Sequence, residues 1–160
     1  MIGEWNTAIE NFIMLSTKHK VRMLMVGGAA VNFHGYQRHS ADVDFWIDTS
    51  AENFDKLVAV FQEMGYDIED FPEAVKDKQQ NISVKFSPVD FDLELITNFS
   101  VNRTFDEAYK QSEAVTLERN NKTLIWQVIS LEDLITSKIK SSRPIDLLDV
   151  QQLQKKKRDL

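Results

Sequence analysis

Two aspartates one residue apart, Asp42 and Asp44, interrupt the apolar run "ADVDFWID". Strand side chains alternate faces, so both carboxylates point one way while Val43 and Phe45 point the other. Like charges this close repel, and burial adds roughly several kcal/mol of desolvation per ion unless a cation lies between them. A hard cation such as magnesium prefers oxygen ligands and often takes one or two carboxylates together with phosphates and waters. The plain alternative is a sheet edge whose polar face meets water. A lone Asp-x-Asp does not choose between the two.

A second acidic segment, "VDFDLELIT", puts Asp90, Asp92 and Glu94 on one face and Phe91, Leu93 and Leu95 on the other. By itself this is the alternation of any half-exposed strand. If the two segments are neighbours in one sheet, a third carboxylate reaches the position that Asp42 and Asp44 face. Gly27-Gly28 ends the apolar run "VRMLMV" and opens a short helical stretch. Such a turn offers free backbone N–H groups at the positive end of a helix, where an anion can sit. Glycine there lets a phosphate approach without a β-carbon in the way. The pair matches neither the P-loop nor the dinucleotide G-x-G-x-x-G spacing.

These groups need a scaffold, and the periodicity supplies one. Residues 4–17 read as an amphipathic helix with Trp5, Ile9, Phe12, Ile13 and Ser16 on one side. Residues 21–26 form a buried strand, "GAAVNFHG" a short helix stopped at Gly35, and residues 41–48 the next strand. Thr49 or Ser50 caps a helix ending at Gly65. The period then changes to two in "YDIEDF" and "NISVKFS", and Ser87-Pro88 turns the chain into a hairpin over 80–97. "TFDEAY" makes one or two helical turns. "AVTLE" and "TLIWQVI" flank the tight-turn sequence 119–122. Ser130 caps "LEDLITSKIKS" with Asp133 placed to close a capping box, and Pro144 starts the last helix. The order predicts an α/β (α+β) fold: a mixed sheet with helices packed on it and a C-terminal helix pair. Residues 1–129 would form the core and 130–160 the helices laid against it, one domain in all.

With 160 residues the chain can bury a core without disulfides, and the absence of cysteine excludes thiolate zinc sites and cysteine nucleophiles. That absence fits the cytoplasm. No apolar run approaches the roughly 20 residues of a membrane span, so no membrane partner is expected. Glu4 and Glu10 make the first segment unlike a signal peptide. The net charge of −6 argues against a general nucleic-acid binder. It is unevenly spread: residues 40–107 hold sixteen acids and five bases, residues 137–160 seven bases and three acids. An acidic middle and a basic end suit metal ions plus a polyphosphate, and they equally suit ordinary solvated charge.

Taken together, Gly27-Gly28, Asp42-Val43-Asp44 and Asp92 resemble the nucleotidyltransferase superfamily related to DNA polymerase beta. "GYQRHSADVDF" is similar to the G-x-x-R-x-[ST]-x-D-[IV]-D form of small prokaryotic members, abortive-infection toxin-like proteins and lincosamide-type antibiotic nucleotidyltransferases. "SLEDLITSKIKSSRPIDLLDVQQL" resembles their ending, a lysine on one helix and R-x-x-D-x-x-D on the next. The resemblance runs over residues 22–153. It implies transfer of a nucleoside monophosphate from a nucleoside triphosphate to a hydroxyl or phosphate acceptor, releasing pyrophosphate. Asp42, Asp44 and Asp92 would hold magnesium or manganese. Glu94 would be the general base. Gly27, Gly28, Arg38, Ser40 and Lys138 would hold the nucleotide, with Asp146 and Asp149 orienting Arg143 or Lys138. The acceptor could be a small molecule such as an antibiotic, a tRNA end or a protein. A toxin-like role would add an antitoxin partner.

Several of these residues have plainer readings. Lys138 could be a surface lysine on an amphipathic helix, and Arg143 could simply pair with Asp146. His34 and His39 suit local packing, Trp46 and Trp126 suit the core, and "KKKR" at 155–158 suits a solvated tail or a polyanion contact. The function classes that compete with an active transferase are a catalytically silent module holding a nucleotide or partner, and a structural sheet protein with incidental acids.

Overall fold

A computed structural model gives the fold and describes residues 7–35, 42–86, 92–119, 121–141 and 143–158. Ile9, Phe12, Ile13 and Ser16 make the buried stripe of helix α1 (Thr7–Lys18). Strand β1 (Met23–Val26) is buried throughout and runs directly into α2 (Gly27–Phe33). Strand β2 (Asp42–Ile47) is followed by α3 (Ala51–Glu63), whose first turn is capped by Ser50. Then come α4 (Glu73–Lys76), β3 (Ile82–Val84), β4 (Asp92–Ile96) and α5 (Phe105–Lys110). The chain continues through β5 (Glu113–Arg119), β6 (Lys122–Val128), α6 (Leu131–Ser141) and α7 (Pro144–Arg158). Trp5, Arg38, His39, Ser40, the Ser87-Pro88 turn, Asp90 and Asn120 lie outside the described residues.

The six strands form one mixed sheet in the order β3-β4-β2-β1-β6-β5. The expected α/β architecture is therefore present, with both hairpins in place: β3 pairs β4 and β5 pairs β6, each antiparallel. The central pairings are β1–β2 antiparallel and β2–β4 parallel. Val43, Phe45, Leu93 and Leu95 are buried on one face, where Phe12 of α1 packs against Phe45 and against Phe61 of α3, ring centroids 6.2 and 5.8 Å apart. The other face carries Asp42, Asp44 and Trp46. Here α2 lies on β1 and β2, α6 touches α2, and α7 packs on α6. Trp46 and Trp126 are both core residues. No helix among the described residues is long and apolar enough to cross a membrane.

Two local patterns differ from the sequence pattern. "YDIEDF" is not a strand. Phe71 turns inward against Phe54 and Phe61, and the Ile68 carbonyl accepts from the Gln62 side chain at 2.7 Å rather than from a neighbouring strand. Its alternation reflects two apolar anchors in a loop, followed by the single turn of α4. The capping box at α6 is only half built. Asp133 N donates to Ser130 Oγ at 3.1 Å, but the Asp133 carboxylate accepts from Arg103 Nε at 2.8 Å instead of returning to the cap.

Asn53, 2% exposed, ties three elements together. Its Oδ1 accepts from Arg22 N at 2.8 Å, and its Nδ2 donates to Arg22 O at 3.0 Å and to Asp48 O at 2.7 Å. One amide thus joins the start of β1 and the end of β2 to the first turn of α3. Asn53→Ala leaves three backbone groups unpaired and should cost about 2–4 kcal/mol of unfolding free energy. Urea titration with an unchanged slope checks this; a loss below about 1 kcal/mol would contradict the role given to Asn53.

Candidate functional site

The parallel register of β2 and β4 sets the site. Asp42 lies level with Asp92, and Asp44 with Glu94. Level residues of paired strands share a face, so all four carboxylates stand on one side of the sheet, the side away from Phe45 and Leu95. All four are half-buried. The sequence placed Asp42, Asp44 and Asp92 together, and the register adds that Glu94, not Asp92, is the lateral neighbour of Asp44. Among the described residues no three acids or histidines are already drawn into an ion-holding cluster.

Val26 is the β1 partner of Asp44, so Gly27 follows immediately beside that carboxylate. Gly27 has φ +64°, and a β-carbon built on it would run into Asp44 Oδ2. The glycine is therefore required twice, by a left-handed backbone and by the oxygen against it. Val26 precedes α2 in extended conformation with no side-chain cap, leaving the first amides of Gly27 and Gly28 without a side-chain partner at that end.

The opposite flank is cationic. Lys138, on α6, is 3% exposed, which excludes the surface-lysine reading. Its Nζ lies 3.3 Å from Asp146 Oδ1 and 3.3 Å from Asp149 Oδ2, and both aspartates are fully buried. Arg143 grips the same Asp146 with Nε at 2.6 Å and Nη2 at 3.0 Å. Two cations and two anions form a neutral quartet that presents positive charge to Asp44. Burial, then Asp42, then Glu94 push the Asp44 carboxyl up to about 7, while Lys138 and Arg143 pull it down. Desolvation and repulsion outweigh the two cations.

His34 Nε2 bonds the Ile129 carbonyl at 2.8 Å, tying α2 to the end of β6, so its part is packing. Arg38, Ser40 and Asp90 lie outside the described residues. Asn81 had no signal in the sequence. Its side-chain nitrogen reaches Glu94 Oε1 at 3.4 Å while its oxygen takes the Thr97 N–H at 3.1 Å. It precedes a three-residue strand in a polar run, where nothing in the spacing marks it out.

The family described as nucleotidyltransferase of unknown function (DUF6036) matches residues 6–157. Among solved structures, the chain resembles an antigenic nucleotidyltransferase-like protein from Paracoccidioides brasiliensis at 17% identity, TM-score 0.53, over 94% of this chain and 75% of that one. It also matches ANT(2″)-Ia in complex with adenylyl-2″-tobramycin at 13% identity, TM-score 0.48, over 92% of this chain and 85% of that one. At these identities the structural likeness concerns the fold. No curated protein matches.

Two predictions follow from the geometry of Asp44. Between its ordinary value of 3.8 and about 7 the folded protein keeps a proton that the unfolded chain has released. Stability of the protein therefore falls as pH rises through that window. Asp44→Asn should flatten this slope and stabilise the protein at pH 8 by on the order of a few kcal/mol. An Asn variant less stable than wild type at pH 8 in urea titrations would refute the repulsion argument. Gly27→Ala combines a left-handed alanine with a clash and should cost about 2 kcal/mol or more in the same titrations.

Proposed function

The chain belongs to this nucleotidyltransferase family, and on that premise we propose that it moves a nucleoside monophosphate from a nucleoside triphosphate to a hydroxyl of a small acceptor. The observation that carries the proposal is the β2–β4 register, which levels Asp42 with Asp92 and Asp44 with Glu94 on one face beside Gly27. The donor set is made of carboxylate oxygens on one face. It fits magnesium or manganese, to be held by Asp42, Asp44 and Asp92. When bound, such an ion neutralises these acids and polarises the phosphate oxygens.

The residues divide the remaining work. Gly27 and Gly28 amides receive the β- and γ-phosphates, with Arg38 and Ser40 assigned to the same nucleotide. Lys138 and Arg143 offset phosphate charge, and Asp146 and Asp149 hold Lys138 in place. Glu94 takes the proton of the acceptor hydroxyl. The freed oxygen forms a bond to the α-phosphorus as the bond to the bridging oxygen breaks, and that electron pair leaves with pyrophosphate. The protein contributes placed charge rather than a covalent bond of its own.

The acceptor side favours a neutral or cationic molecule over RNA. Glu94 shares its face with Asp42, Asp44 and Asp92. A polyanion approaching across that face is repelled, whereas an amine-bearing polyol is attracted. An amino-sugar antibiotic is one molecule of that class.

The test follows pyrophosphate release from each labelled triphosphate with magnesium and a panel of amino sugars, neutral polyols, tRNA and proteins. Release with a hydroxyl-bearing small molecule is expected, and Asp44→Ala should lower kcat by roughly two to three orders of magnitude. Triphosphate that raises the melting temperature without any release across the panel would instead make the protein a nucleotide-holding module. No shift and no release would leave only a structural sheet.

A further inference from the structure

Glu94 poses a positional problem. Its side chain is long, and the groups around it are mostly of its own sign: Asp44 level with it on β2, Asp42 beyond, and Asp92 one pleat away on its own strand. The cations Lys138 and Arg143 act on Asp44 from the helix pair. On the remaining side β3 offers Ser83, the antiparallel partner of Glu94. Left to repulsion, the carboxylate swings outward to water.

The turn before β3 supplies a counterweight. After α4, Lys78 takes a left-handed conformation with φ 63°, and the amides of Gln79 and Gln80 both donate to Ala74 O at 2.8 and 3.0 Å. Thr97 Oγ1 then holds Gln80 O at 3.1 Å. Thr97 is 3% exposed, so this anchor is fixed in the core. The next residue is Asn81. Its Oδ1 accepts the Thr97 backbone N–H at 3.1 Å, which settles which way the amide is turned, because a backbone N–H can only donate. Nδ2 must then face outward, and it points at Glu94 Oε1 at 3.4 Å.

We propose that Asn81 is a positioning residue that aims the Glu94 carboxylate at the acceptor hydroxyl. It rests on the reading of Glu94 as the proton acceptor. Asn81 touches neither the nucleotide nor the reacting phosphorus; it acts through Glu94 by holding one oxygen so that the other faces the site. The α4 turn and the left-handed Lys78 then have a purpose in common, since together they bring a neutral donor to a face crowded with acids.

The discriminating substitution is Asn81→Asp. Aspartate keeps the acceptor for the Thr97 N–H and so keeps the structural bond, but it removes the donor to Glu94. Asn81→Asp also adds a charge beside Glu94, so Asn81→Ala is the control that removes the donor without adding one. If Asn81 only pins the turn, Asn81→Ala keeps wild-type kcat; if it aims Glu94, both variants lose about tenfold to a hundredfold in kcat while KM for the triphosphate stays unchanged. Asn81→Ala, at an exposed position, should show the same loss of kcat with a lower melting temperature.

Pyrophosphate release with the acceptor found in the panel is the assay, and Glu94→Gln is measured alongside. Loss of kcat in Glu94→Gln with wild-type kcat in Asn81→Asp or Asn81→Ala overturns the positioning role alone. So does a change confined to KM. Full kcat in Glu94→Gln, or no turnover by the wild type, overturns the reading of Glu94 and the inference with it.

Discussion

The site depends on a repulsion that the backbone enforces. A parallel ladder fixes β2 and β4 side by side, and the register leaves the carboxylates no choice of face. A slip of one residue would turn Asp92 and Glu94 into the core and Leu93 and Leu95 out to water, which is far costlier than the crowding. Burial of Leu93 and Leu95 therefore holds the acids together against their own charge. The stability of the sheet thus holds four crowded carboxylates at one place on its surface.

The helix pair offsets part of that charge. Along α7 the apolar pattern alone would turn Leu147 and Leu148 inward, yet these are exposed while Asp146 and Asp149 are fully buried. Val150 and Leu153 are buried on the same stripe, and pairing with the buried Lys138 lets Asp146 and Asp149 join them, since an unpaired buried ammonium is more costly than an exposed leucine. The buried part of the quartet, Lys138 with Asp146 and Asp149, adds little net stability. It fixes where the positive charge stands relative to Asp44.

Much of the fold was legible because it is written in periodicity. The strands around 23–26, 42–47 and 92–96 and the two hairpins follow from alternation and turn residues, and Ser50 and Pro144 mark helix starts. The grouping of Asp42, Asp44 and Asp92 was legible from motif order. What escaped the sequence depends on partners distant in the chain. "YDIEDF" alternates but has no strand to pair with, and a tertiary contact to Gln62 takes its carbonyl. Asp133 sits at a capping position but is claimed by Arg103. Glu94 lies level with Asp44 only because β2 and β4 run parallel at one register, which no local pattern encodes. Asn53 and Asn81 are single amides whose value lies wholly in what they bridge.

The position of Lys138 and Arg143 late in the chain has a consequence for synthesis. The acidic strands leave the ribosome well before the helices that counterbalance them. Until α6 and α7 emerge and dock, the nascent sheet carries its carboxylates without their counterions, and its charge balance at Asp44 is incomplete. An acid cluster assembled in this order keeps its charge unbalanced until α6 and α7 dock beside it.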